Sequence, residues 1–189
     1  MALPLSPQNP LSADTYRLPV AFALVDGRRV VGWLSLSRRS RSTAPQTVLE
    51  RLNERVRLFP VVHSGATHLV MRDAIMWVIP SPGVDPAQVS PPARVPAHEE
   101  FVAVALRTGD VLAGRVEVEQ RRSSDRTSDF LAGPEDFFLL RTADGPRLIH
   151  KHQVVEARLG AEPVSAATPR RRTRRTTTGK RRAVARAHA

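Results

Sequence analysis

The sequence predicts a mainly β protein. Two tandem, five-stranded, strongly bent small β-barrels with a short helix are followed by a disordered basic C-terminal tail. Three observations predict this. First, the chain repeats itself: residues 20–36 read VAFALVDGRRVVGWLSL and residues 102–118 read VAVALRTGDVLAGRVEV. Gly27 recurs as Gly109 and Gly32 as Gly114 at one and the same offset, and a fixed spacing of this kind means two copies of one small unit. Second, both copies alternate apolar with small or polar residues, the period of half-buried strands. Third, apolar periodicity ends near residue 160, and the remainder is rich in Arg, Thr and Ala, a composition that cannot bury a core.

The repeat runs past the glycines. Arg38-Arg39-Ser40 is echoed by Arg121-Arg122-Ser123. The offset then becomes slightly shorter and holds again: Leu58-Phe59 matches Phe137-Phe138, Leu69-Val70 matches Leu148-Ile149, Arg72 matches Lys151 and Ile75 matches Val154. The shortening falls in the loop after the paired arginines, where length changes are tolerated. This divides the chain into a loose lead-in (1–17), a first β-unit (18–80), a proline-rich linker (81–98), a second β-unit (99–159) and the tail (160–189).

In the first unit, Val20, Phe22 and Leu24 mark a strand, and Asp26-Gly27 is a favoured hairpin turn. Residues 30–36 return; Gly32 within them predicts a sharp bend or a close backbone approach. Thr47 with Glu50 at the third helical position forms a capping box, and Val48, Leu52 and Val56 follow at helical spacing, predicting a helix over 48–55. Residues 58–63 and 68–72 read as a hairpin across Ser64-Gly65, and 74–79 as the last strand. The second unit repeats the plan: strands near 101–107 and 111–119, an undefined stretch at 123–136, a hairpin around Asp144-Gly145 and a strand at 153–158. Short, bent strands in this number suggest small barrels.

Bulk properties narrow the function. The 189 residues include no cysteine, which removes disulfide and thiolate chemistry. Residues 1–12 are punctuated by proline and lack the apolar run of a signal peptide, and no stretch approaches the ~18 apolar residues of a spanning helix. A soluble cytoplasmic protein without a membrane role is expected. The net charge of +11 is unevenly placed. Residues 1–80 carry +5, residues 81–169 carry −3, and residues 170–186 hold nine basic residues and no acid.

The segment LVDGRRVVGWL resembles the first motif of the Sm-like family, and VMRDAIMWVIP at 70–80 resembles the second. The second is similar to the bacterial RNA-chaperone branch, Hfq, in which an aromatic-lysine-histidine triplet precedes the last strand. The matching stretch of the second unit is Ile149-His150-Lys151-His152, while the first unit has Met71-Arg72-Asp73. The resemblance covers about half of each unit. It implies a bent five-stranded sheet, edge-to-edge assembly and RNA binding in which Lys151 and His152 take part.

The basic tail is the sharpest functional signal. Arg170, Arg171, Arg172, Arg174, Arg175, Lys180, Arg181, Arg182 and Arg186 would bind phosphates by counterion release with little sequence selectivity; a solubilising tail or an anchor for an acidic protein is the competing reading. Arg38, Arg39 and Arg41, with Arg121, Arg122 and Arg126 as counterparts, are phosphate-contact candidates or simply a solvated loop. On a strand, His150 and His152 would share one face and Lys151 the other. His63 and His68 read as surface residues. Trp33 and Trp77, like Phe130, Phe137 and Phe138, read as packing residues.

No catalytic glycine loop, nucleophile elbow or metal-ligand spacing is present in the sequence. Asp125 with Asp129, and Glu135 with Asp136, are paired carboxylates in polar loops without a burial cue. No enzyme activity, cofactor or metal is expected. The expected function is non-catalytic nucleic-acid binding, RNA slightly ahead of DNA. The alternative is a structural adaptor whose β-units join through strand edges, between units or between chains.

Overall fold

The structure, a computed structural model, describes residues 14–38, 44–93, 97–119 and 126–160. The protein is mainly β, with ten antiparallel strands and three short helices among these residues. The first unit contains β1 (Thr15–Leu24), β2 (Arg29–Ser37), α1 (Val48–Leu52), β3 (Leu58–His63), β4 (Ala66–Met71) and β5 (Ile75–Pro80). After α2 (Pro86–Val89), the second unit contains β6 (Ala97–Leu106), β7 (Val111–Glu119), α3 (Thr127–Ala132), β8 (Phe137–Thr142), β9 (Gly145–His150) and β10 (Val154–Leu159). A single 3-10 turn separates β4 from β5 and another separates β9 from β10. The strands β6 and β7 repeat β1 and β2 at the first offset, and β8 to β10 repeat β3 to β5 at the second, shorter one. The spacing change read from the sequence therefore falls in the loop between the second strand and the helix.

The two expected barrels are replaced by one sheet. Its order is β10-β6-β7-β8-β9-β5-β1-β2-β3-β4, and it does not close. The link is β5 to β9, where Trp77 lies opposite Ile149 and Val78 opposite Leu148. Burial explains why the halves do not stand apart. The first apolar core gathers Val20, Phe22, Leu34, Phe59, Val61 and Ile75, and takes in Phe137 and Leu148 of the second unit. The second core gathers Val102, Val104, Val116, Phe138 and Leu140, and takes in Ala23, Met76 and Trp77 of the first. Each unit is too small to close its own core, so each borrows side chains across the β5–β9 joint.

Local chemistry accounts for the elements. Gly27 and Gly109 adopt φ values of 81° and 87° and close the hairpin loops, a conformation that favours glycine. A Cβ at Gly32 would stand 2.6 Å from the Val62 carbonyl oxygen, and one at Gly114 would overlap the Arg141 carbonyl oxygen. Both glycines thus let the next strand approach, as expected of a bend. The capping box of α1 is formed: the Thr47 N–H donates to Glu50 Oε2 (2.8 Å) and Glu50 N–H donates to Thr47 Oγ1 (3.2 Å). The helix stops at Leu52 rather than 55, because Asn53 turns to the second unit. Its Nδ2 donates to the Phe137 carbonyl (3.0 Å) and its Oδ1 accepts from the Phe137 N–H (2.8 Å).

Two strand starts and two short helices differ from expectation. The first strand already starts at Thr15 and the sixth at Ala97. The linker holds α2, capped by Asp85 on the Ala87 N–H (2.9 Å), and Val89 buries into the first core. The undefined stretch of the second unit contains α3, which has too few apolar positions to show a period.

Candidate functional site

Of the residues singled out for nucleic-acid contact, the nine basic residues of 170–186, Arg39, Arg41, Arg121 and Arg122 lie outside the described residues. The others are placed, and most are engaged within the fold. Arg38 turns back on the start of β1: its N–H donates to the Asp14 carbonyl (2.7 Å) and its Nε to the Thr15 carbonyl (3.3 Å). Arg126 precedes α3, where its N–H donates to Asp129 Oδ2 (3.3 Å).

The triplet His150-Lys151-His152 is not a continuous strand. His150 ends β9, and Lys151–Gln153 forms the 3-10 turn that follows. His150 is buried, not on the surface, and its ring stacks on Phe137 with centroids 4.5 Å apart and planes 10° from parallel. Its Nδ1 lies 3.0 Å from the Ile75 carbonyl oxygen. A carbonyl only accepts, so Nδ1 carries the proton. Burial pushes the His150 pKa down, and the nearby His152 and Arg72 add to this against the Ile75 hydrogen bond and Asp136.

Lys151 is half-buried. Its ammonium donates to the carbonyls of Phe130 (2.8 Å) and Gly133 (3.3 Å) at the end of α3 and lies 5.2 Å from the Phe130 ring centroid. Cations suit the carbonyl end of a helix, and this is what the position does here. Burial lowers the Lys151 pKa, opposed by Glu135 and Asp136. His152 is exposed, with Nε2 3.4 Å from Asp136 Oδ1, and its carbonyl accepts from Arg107 Nε at 3.0 Å.

These side chains converge on the joint between the units. A cleft of about 380 Å³ is lined by Asp73, Arg107, Asp136, His150, His152 and Gln153. Arg72 spans the joint, donating to Asp136 and to the carbonyls of Leu52 (2.6 Å) and Glu54. Gln153 Nε2 donates to the Asp73 carbonyl (2.7 Å). Repeat position matches Arg72 to Lys151 but does not reveal their different work, because Asp136 gives no burial cue in the sequence. In the structure Asp136 is partly buried against Arg72. Asn53 and Gln153 were missed as well; neither carries a local sequence signal for a contact in the other unit.

Acids and bases balance around this cleft, so it presents no dense positive field. Among the described residues no group of three or more His, Asp or Glu could hold a metal ion, and no helix is long and apolar enough to cross a membrane. His63 and His68 are exposed on the β3–β4 hairpin, with ring centroids 6.2 Å apart. Trp77 is core, with Arg147 5.8 Å from its ring centroid. Trp33 is only half-buried and belongs to neither core. No protein-family model, no curated protein and no solved structure matches the chain.

Proposed function

We propose that this protein is a non-catalytic nucleic-acid-binding protein, with two Sm-like β-units as its folded part and the arginine-rich segment 170–186 as its contact with phosphate. The carrying observation is the charge distribution: nine basic residues and no acid in 17 positions, against a net +2 for residues 1–169. The engagement of Lys151 and Arg38 within the fold adds weight to the segment, because these side chains are held by backbone carbonyls. Contacts of arginine with phosphate are strong and sequence-tolerant. RNA is placed slightly ahead of DNA on the Sm-like resemblance alone.

The test is fluorescence anisotropy with labelled single-stranded RNA and duplex DNA, using the full chain and a chain ending at residue 167. Every described residue remains in the shorter chain. Loss of affinity by a factor of ten or more, about 1.4 kcal/mol, is the expected result for both probes. Equal affinity of the two chains would overturn the proposal.

A further inference from the structure

The β3–β4 hairpin turns in two residues, Ser64 and Gly65, with φ values of 47° and 80°. Two positive φ values in succession belong to the tightest hairpin loops. The register behind the turn follows from it: His63 lies opposite Ala66, Val62 opposite Thr67 and Val61 opposite His68. Residues two apart on a strand share a face, so His63 and Val61 stand on the same face as Ala66 and His68. On that face His63 and His68 are diagonal neighbours, a separation that aromatic side chains bridge. Their rings meet edge to face, with centroids 6.2 Å apart and planes at 64°.

The histidines of the joint are committed to the fold. His150 gives its Nδ1 proton to the Ile75 carbonyl, and His152 faces Asp136. His63 and His68 are exposed, and among the described residues neither makes a hydrogen bond or an ion pair. The second unit uses the matching positions differently. They are Thr142 and Arg147. Thr142 Oγ1 donates to the Gly145 carbonyl (2.7 Å), and Arg147 pairs with Asp144 (3.4 Å). Those two side chains fasten their own hairpin. In the first unit the turn forms without such help, and two imidazoles are left side by side.

We propose that His63 and His68 form a two-imidazole clip for one divalent transition-metal ion, of the copper, nickel or zinc class, with water in the remaining positions. Imidazole selects such ions over magnesium and calcium, which prefer oxygen. An ion about 2.0–2.1 Å from one nitrogen of each ring sets the centroids roughly 5–6 Å apart. A small rotation of two exposed side chains therefore brings the rings from 6.2 Å onto the ion, and the backbone stays in place. Among the described residues no third histidine or carboxylate completes the set, so the ion keeps open positions and exchanges with solvent. Copper binds more tightly than nickel or zinc, by the general order for divalent ions. The clip belongs to the first unit alone and does not rest on nucleic-acid binding.

Copper(II) is titrated into the full-length protein, freed of nucleic acid by nuclease and high salt. Calorimetry reads the affinity, and electron paramagnetic resonance reads the ligands. The expected result is a tightest site holding one ion per chain, with two imidazole nitrogens in its hyperfine pattern, for which zinc competes more weakly. His63→Gln and His68→Gln, made separately at exposed positions, each weaken that site tenfold or more with circular dichroism unchanged. A loss smaller than tenfold in either variant, or a tightest copper site without two imidazole nitrogens in the parent protein, would overturn the proposal.

Discussion

At the scale of single residues, identity and location separate chemistry from support. Lys151 has the residue type of a phosphate or base contact, yet its ammonium is spent on the last carbonyls of α3. Its counterpart Arg72 holds Asp136 across the joint. One repeat position thus carries two different structural duties. Glycines are more legible than cations, because a glycine's role is set by the backbone around it. Gly32 was expected to allow a sharp bend or a close approach, and both it and its repeat counterpart Gly114 face carbonyl oxygens of the following strand. Replacing Gly32 by Ala forces the Val62 carbonyl and the Val61 side chain aside. A loss of about 1–3 kcal/mol is expected from such overpacking. Urea denaturation monitored by circular dichroism measures it; a variant as stable as the parent would show that β3 yields freely.

At the scale of elements, the sequence made the strands readable and the joint invisible. Alternation placed β1, β2, β6 and β7, and the capping box placed α1. The helix α3 was not seen because a stretch so short, with Phe130 and Leu131 as its large apolar side chains, carries no measurable period. Pairing of β5 with β9 could not be read, because its partners lie far apart in the chain and are held by Asn53, Arg72 and Gln153, which look like ordinary surface residues in the sequence.

The same joint makes stability depend on pH. His150 is buried between Phe137 and the Ile75 carbonyl, and its pKa is lowered from the ordinary value of 6.5. The unfolded chain therefore binds a proton more readily than the folded one. The His150 contribution is fully present above the ordinary histidine value and is lost as pH falls below it towards the lowered one. Thermal unfolding followed between about pH 8 and about pH 5 should show this loss, and His150→Gln should flatten the profile over that interval. An unchanged profile in the variant would assign the loss to other groups.

At the scale of the whole molecule, two repeats form one open sheet with shared cores, and the charge is divided along the chain. The first unit is basic, the second acidic, and most of the excess lies in nine residues of 170–186. Composition made that division legible at once. The repeated motifs made the two β-units legible, but not the single sheet that joins them, since sheet order depends on contacts between the repeats. Under the proposed function, a balanced joint and a strongly cationic segment divide the work: the sheet gives the molecule its form, and the segment would give it affinity.

The salt dependence of binding tests that division most directly. If six of the nine cations meet duplex phosphates, the slope of log affinity against log salt is about −5. The account predicts a slope of this order for the full chain on duplex DNA, with little difference between sequences. A shallow slope with retained affinity would contradict it, because binding would then reside in contacts other than the arginine-rich segment.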